Sequence, residues 1–146
     1  MSATLAQLLQ EVRALGLPAG EYVLAGSVPM GLAGLRAVND ADVIVSDRLW
    51  KELTRRYPVD HNAIGAPCIY TGRVEILNSW YCHMGNVSEL IAQAEMVRGF
   101  PTLPLEWVRR WKLLSARPKD LADVELIEAH LVSPHGREGS PIRRAE

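Results

Sequence analysis

Apolar positions at the start of the chain fall at helical spacing: Leu5, Leu8, Leu9, Val12 and Leu15, with Thr4 and Gln7 in capping-box form and Gly16 and Pro18 as stop signals. The spacing predicts an amphipathic helix. Tyr22 to Ala25 is a short apolar run that reads as a buried strand. Pro29 then falls in the first turn of a helix after Ser27, where its missing N–H costs least, and Gly34-Leu35-Arg36 ends that helix. A second apolar run carries Asp40-Ala41-Asp42 into Val45. Ser46 can cap a helix with Leu49, Trp50, Leu53 and Tyr57 on its apolar side, closed by Pro58. Residues 62–77 read as strands, with Ile69 and Tyr70, a Thr71-Gly72 turn, then Arg73 to Leu77.

The second half is less regular. Residues 78–85 lack periodicity and hold Trp80, Tyr81, Cys82 and His83, which predicts a loop rich in aromatic groups. Asn86 and Glu89 can cap a short helix, and Gly99, Pro101 and Pro104 make 95–104 read as a turn-rich connector. Two helices follow, one placing Leu105, Val108 and Trp111 on a face and the other, opened by Pro118, placing Leu121, Val124, Ile127 and Leu131. From Ser133 onward periodicity is lost. The expected organisation is one domain over 1–132 and a flexible C-terminal tail over 133–146.

A chain of 146 residues has length for one real core. Its net charge of -1 excludes a global electrostatic pull toward nucleic acid, but Arg109 to Lys119 holds five basic residues and no acidic one. No basic leader with an apolar core opens the chain, and no apolar run approaches the roughly eighteen residues that span a bilayer, so no membrane contact and a cytoplasmic location are expected. Cys68 and Cys82 make no disulfide framework. The histidines, His61, His83, His130 and His135, lack metal-ligand spacing with each other or with the cysteines, so zinc is not expected.

Candidate chemistry gathers around Tyr22 to Val45. In a strand Asp40 and Asp42 would face the same way roughly 6.6 Å apart, and two such carboxylates repel unless one is protonated or a cation sits between them. Hard divalent ions bind through one or two carboxylates plus substrate phosphates. Gly26 allows close backbone approach, and Ser27 adds a hydroxyl at the start of a helix, which suits phosphate. Glu75 faces opposite to Val74 and Ile76 and therefore needs polar surroundings. Lys119 and Asp123, four residues apart on one helix, also have a plain reading as a surface ion pair.

An apolar strand, Gly26-Ser27, twelve intervening residues and Asp40-x-Asp42 in a second strand resemble the signature of the DNA polymerase β-like nucleotidyltransferase superfamily. Glu75 fits that family's third carboxylate. Lys112, Arg117, Lys119-Asp120 and Asp123 are similar to a segment of small bacterial members, among them abortive-infection nucleotidyltransferase toxins and antibiotic nucleotidyltransferases. The resemblance implies an α/β (α+β) nucleotidyltransferase fold, with a small mixed sheet, helices on one face and a C-terminal helix pair. It implies transfer of a nucleoside monophosphate from a nucleoside triphosphate to a hydroxyl, with release of pyrophosphate. Asp40, Asp42 and Glu75 would be catalytic and would bind two Mg2+ ions. Gly26, Ser27, Arg36, Lys112, Lys119 and Asp120 would hold the nucleotide, with Lys112 and Lys119 facing the departing pyrophosphate. At the position two before Asp40, where relatives commonly carry a hydroxyl, this chain has Val38. The acceptor stays open between RNA, a small molecule and a protein side chain, and the small size leaves room for a homo-oligomer in which a second protomer holds it. The alternative is a nucleotide-binding or antitoxin-like module acting through a protein partner.

Overall fold

The computed structural model describes residues 4–80 and 85–132. The predicted tail over 133–146, and Tyr81, Cys82 and His83 of the predicted loop, lie outside the described residues. Among the described residues six helices and seven strands follow in the order α1 (Leu5–Ala14), β1 (Tyr22–Ala25), α2 (Val28–Leu32), β2 (Ala41–Val45), α3 (Asp47–Leu53), β3 (Asp60–His61), β4 (Pro67–Thr71), β5 (Val74–Leu77), α4 (Val87–Ala92), β6 (Glu95–Val97), β7 (Phe100–Thr102), α5 (Leu105–Ser115) and α6 (Pro118–Val132). The strands form one mixed sheet in the order β3-β4-β5-β2-β1-β7-β6, so β2 is its middle strand. It runs antiparallel to β1 and parallel to β5.

The caps act as the sequence suggests. Thr4 and Gln7 form a reciprocal capping box on α1, Ser46 Oγ accepts the Leu49 N–H, and Asn86 Oδ1 accepts the Glu89 N–H. Side chains alternate between faces along each strand. Tyr22 and Leu24 of β1 with Val43 and Val45 of β2 therefore pack on Leu9, Val12, Leu49 and Leu53 of α1 and α3. Val23, Ala25 and Ile44 face the other way, onto Leu90, Val108, Trp111 and Ile127 of α4, α5 and α6.

Two expectations are corrected here. Helices cover both faces of the sheet, because β1 and β2 are apolar on both sides and each side needs a cover. Residues 95–104 contain a hairpin rather than a connector: Val97 pairs with Phe100 across Arg98 and Gly99, both at positive φ, 53° and 85°, the pattern of a two-residue type I′ turn. Gly99 marks the turn of a strand pair that β7 then joins to β1, through Leu24 and Thr102.

Candidate active site

Strand register assembles the acidic half of the site. Ala25 pairs with Asp42, Asp42 with Glu75, and Glu75 with Tyr70, which sets one row across β1, β2, β5 and β4 on the face toward α5 and α6. Neighbouring strands lie roughly 4.8 Å apart, so Asp42 and Glu75 stand side by side. Asp40 differs from expectation. It precedes β2 and is exposed, because β2 begins at Ala41, whose N–H is taken by the Arg73 carbonyl at 2.9 Å.

Gly26 closes β1 with φ 65°, and a Cβ there would overlap Oδ2 of Asp42. Glycine is thus required twice, for the turn and for the space that Asp42 occupies. Burial, then the charges of Glu75 and Asp40, push the Asp42 carboxyl up to about 7, with Lys112 pulling the other way. Glu75 is steadied from the side. Asn62 Nδ2 donates to its Oε2 at 3.0 Å, while Asn62 Oδ1 accepts the N–H groups of Ile64 and Ala66 and so shapes the turn it sits in. The Tyr70 phenol is pushed up to about 12, by its hydrogen bond with Cys68 first and by burial next, which makes it a donor rather than a base.

The basic half is an ion network under α5 and α6. Lys112 is 2% exposed, and its Nζ donates to Asp123 Oδ2 at 2.8 Å and to Ser27 Oγ at 3.2 Å, with Asp120 Oδ1 at 3.7 Å. Arg36 sets a fork on Asp123 at 2.8 and 2.9 Å and also donates to Ser27 Oγ at 2.8 Å. Arg117 holds Asp120 in a second fork, at 2.6 and 3.1 Å. Burial pushes the Asp120 and Asp123 carboxyls up, but the hydrogen bonds from Arg117 to Asp120 and from Arg36 and Lys112 to Asp123 outweigh it, and both lie below the usual carboxylate range.

Three sequence expectations change with this network. Lys112 is locked between buried carboxylates, so it is not an exposed point charge for pyrophosphate. Asp120 and Asp123 hold cations in place, and Asp123 pairs with Arg36 and Lys112 rather than with Lys119. Helix α2 spans five residues and Ser27 makes no side-chain cap to it, so Ser27 is held by two cations instead of by a helix start. Lys119 remains exposed.

All the candidate site residues named from the sequence line one cavity of about 600 Å³, Arg117 and Asp123 of the C-terminal segment among them, with Arg73 and Tyr70 added. Asn62 and Tyr70 were not read from the sequence as site residues. Residues 62–66, expected as strand, form a turn on Asn62 that the Asn62-x-x-Gly65 spacing could have marked, whereas Tyr70 enters only through its register with Glu75. Among the described residues no three His, Cys, Asp or Glu side chains close into a ready-made metal-ligand group. The donor set is the Asp42 and Glu75 pair with Asp40 at the rim, which suits a hard cation that takes two carboxylates and completes its shell with phosphate and water. Comparisons with protein-family models, with curated proteins and with solved structures find no match.

Proposed function

We propose that the protein is a metal-dependent nucleotidyltransferase that moves a nucleoside monophosphate from a nucleoside triphosphate to a hydroxyl acceptor. The observation that carries this reading is the juxtaposition in one cavity of the paired carboxylates Asp42 and Glu75 with the cation-held hydroxyl of Ser27. Asp42 and Glu75 would hold magnesium, with Asp40 beside them. Bound there, magnesium supplies positive charge to the phosphoryl oxygens where negative charge grows during in-line displacement.

The chain's own groups divide the remaining work. Ser27 Oγ accepts from Arg36 and Lys112, so its own O–H is left to donate to a phosphate oxygen. Arg36, Arg117 and the exposed Lys119 offset the triphosphate charge at the cavity wall. Asn62 keeps Glu75 oriented. Chemically, the acceptor oxygen bonds to the α-phosphorus, the bond to the bridging oxygen breaks, pyrophosphate leaves with the electron pair, and the hydroxyl proton passes to solvent or a carboxylate.

The test is incubation of the full chain with each labelled nucleoside triphosphate, magnesium and a panel of hydroxyl acceptors. Label transfer with pyrophosphate release, lost in Glu75→Gln and Asp42→Asn, supports the reading. Absence of both transfer and any magnesium-dependent rise in melting temperature with every nucleotide overturns it.

A further inference from the structure

A second cavity of about 350 Å³ also reaches the carboxylates. It shares Asp42, Glu75, Tyr70, Trp111 and Arg117 with the first and adds a different lining, with Ile64, Leu77 and Trp80 among it. The Trp80 and Trp111 rings meet edge to face, 5.3 Å between centroids and 85° between planes, and so form a square corner. A flat ring entering the cavity meets Trp80, since Trp111 is 5% exposed and carries the Lys112 ammonium 4.6 Å from its ring centroid. Ile64, 75% exposed, stands at its mouth.

From this lining we propose that the second cavity is the acceptor chamber and that it takes a small molecule built on one flat ring system, of nucleoside size, with its hydroxyl aimed at Asp42 and Glu75. The inference rests on the nucleotidyltransferase reading above, because in-line displacement requires the attacking and leaving oxygens on opposite sides of the phosphorus. With the triphosphate at Ser27 in the first cavity, the hydroxyl enters from the second. The oxygen forms the new bond to the α-phosphorus, its proton leaves to solvent, and pyrophosphate departs on the Ser27 side.

Lining chemistry selects the class. The volume is at the small end of ligand pockets, about 300–1,000 Å³, which fits one ring system with its substituents. Among the described residues of the lining Asp42 and Glu75 are the only acidic ones, and on that reading both hold the metal, so a polycationic sugar finds no further counter-charge there. Arg117 is the only basic one among the described residues, where a nucleic-acid strand would need a basic groove along its backbone.

The experiment uses the full chain with magnesium and a non-hydrolysable nucleoside triphosphate, and follows tryptophan fluorescence and melting temperature. Four probes are added in turn: a free nucleoside, a flat phenol, an aminoglycoside and a short single-stranded RNA. Binding of the nucleoside or the phenol, weakened roughly tenfold or more in Trp80→Leu and in Ile64→Glu while the nucleotide-induced rise in melting temperature persists, supports the chamber. Ile64 is exposed, so its replacement keeps the test valid where Trp80→Leu unfolds the protein. Tighter binding of the RNA or the aminoglycoside than of either flat compound overturns the inference. So does flat-ring binding that neither variant weakens, or no binding of any probe alongside a normal nucleotide response. Loss of the nucleotide response itself strikes the underlying reading instead.

Discussion

Lys112 shows how much one side chain decides here. It belongs to the basic run from Arg109 to Lys119, yet its ammonium is buried between Asp120 and Asp123 and touches Ser27. Burying a charge is costly unless it is paired, and removing one partner leaves the others uncompensated. Lys112→Met should therefore destabilise the fold by about 3 kcal/mol, the low end for a buried pair because Arg36 and Arg117 still serve the two carboxylates. Urea unfolding checks this, and a loss below about 1 kcal/mol would show that the network carries little stability. Gly26 is the second such residue, since no side chain fits between its Cα and the Asp42 carboxylate.

Among the elements, the β6–β7 hairpin was the one hidden by its own turn residues. Gly99, Pro101 and Pro104 look like breakers along the chain, but Gly99 serves a turn that needs positive φ and Pro101 pairs across the hairpin with Met96. Arg98 shares that turn at φ 53°, a conformation that asparagine adopts more readily than arginine. Arg98→Asn is expected to raise stability by about 0.5 kcal/mol. The measurement is the midpoint of chemical unfolding, and a lower midpoint would argue against the turn. By contrast α1, α3, α4 and the two C-terminal helices were legible as elements, because apolar periodicity and caps are local signals.

For the whole molecule, two sets of buried carboxylates respond to pH in opposite directions. The Asp42 carboxyl, raised to about 7, keeps in the folded chain a proton that the unfolded chain has already released. Metal-free stability should therefore fall as pH rises from about 4 to about 7, by on the order of 2–4 kcal/mol. Asp120 and Asp123 have lowered values, so the stability they contribute is present above the ordinary carboxylate range and is lost as pH falls through their folded values. Thermal melts in chelator from pH 3 to 9 should show this decline between about pH 4 and 7 in the wild type, none in Asp42→Asn, and a partial reversal above pH 7 on adding magnesium. A profile that does not differ between wild type and Asp42→Asn would remove the buried-carboxylate argument.

The sequence by itself determined the ends and faces of most helices, the Gly26-Ser27 turn and the strands that carry Asp42 and Glu75, because each depends on neighbours within a few residues. Register decided the rest. Only the parallel pairing of β2 with β5 puts Glu75 beside Asp42, and only the packing of α5 and α6 over that face draws Lys112, Asp120 and Asp123 inward and leaves two cavities meeting at the carboxylates. Periodicity tells which side of a segment avoids water. It carries no record of which distant segment covers that side, and the chemistry of this site is set by that choice.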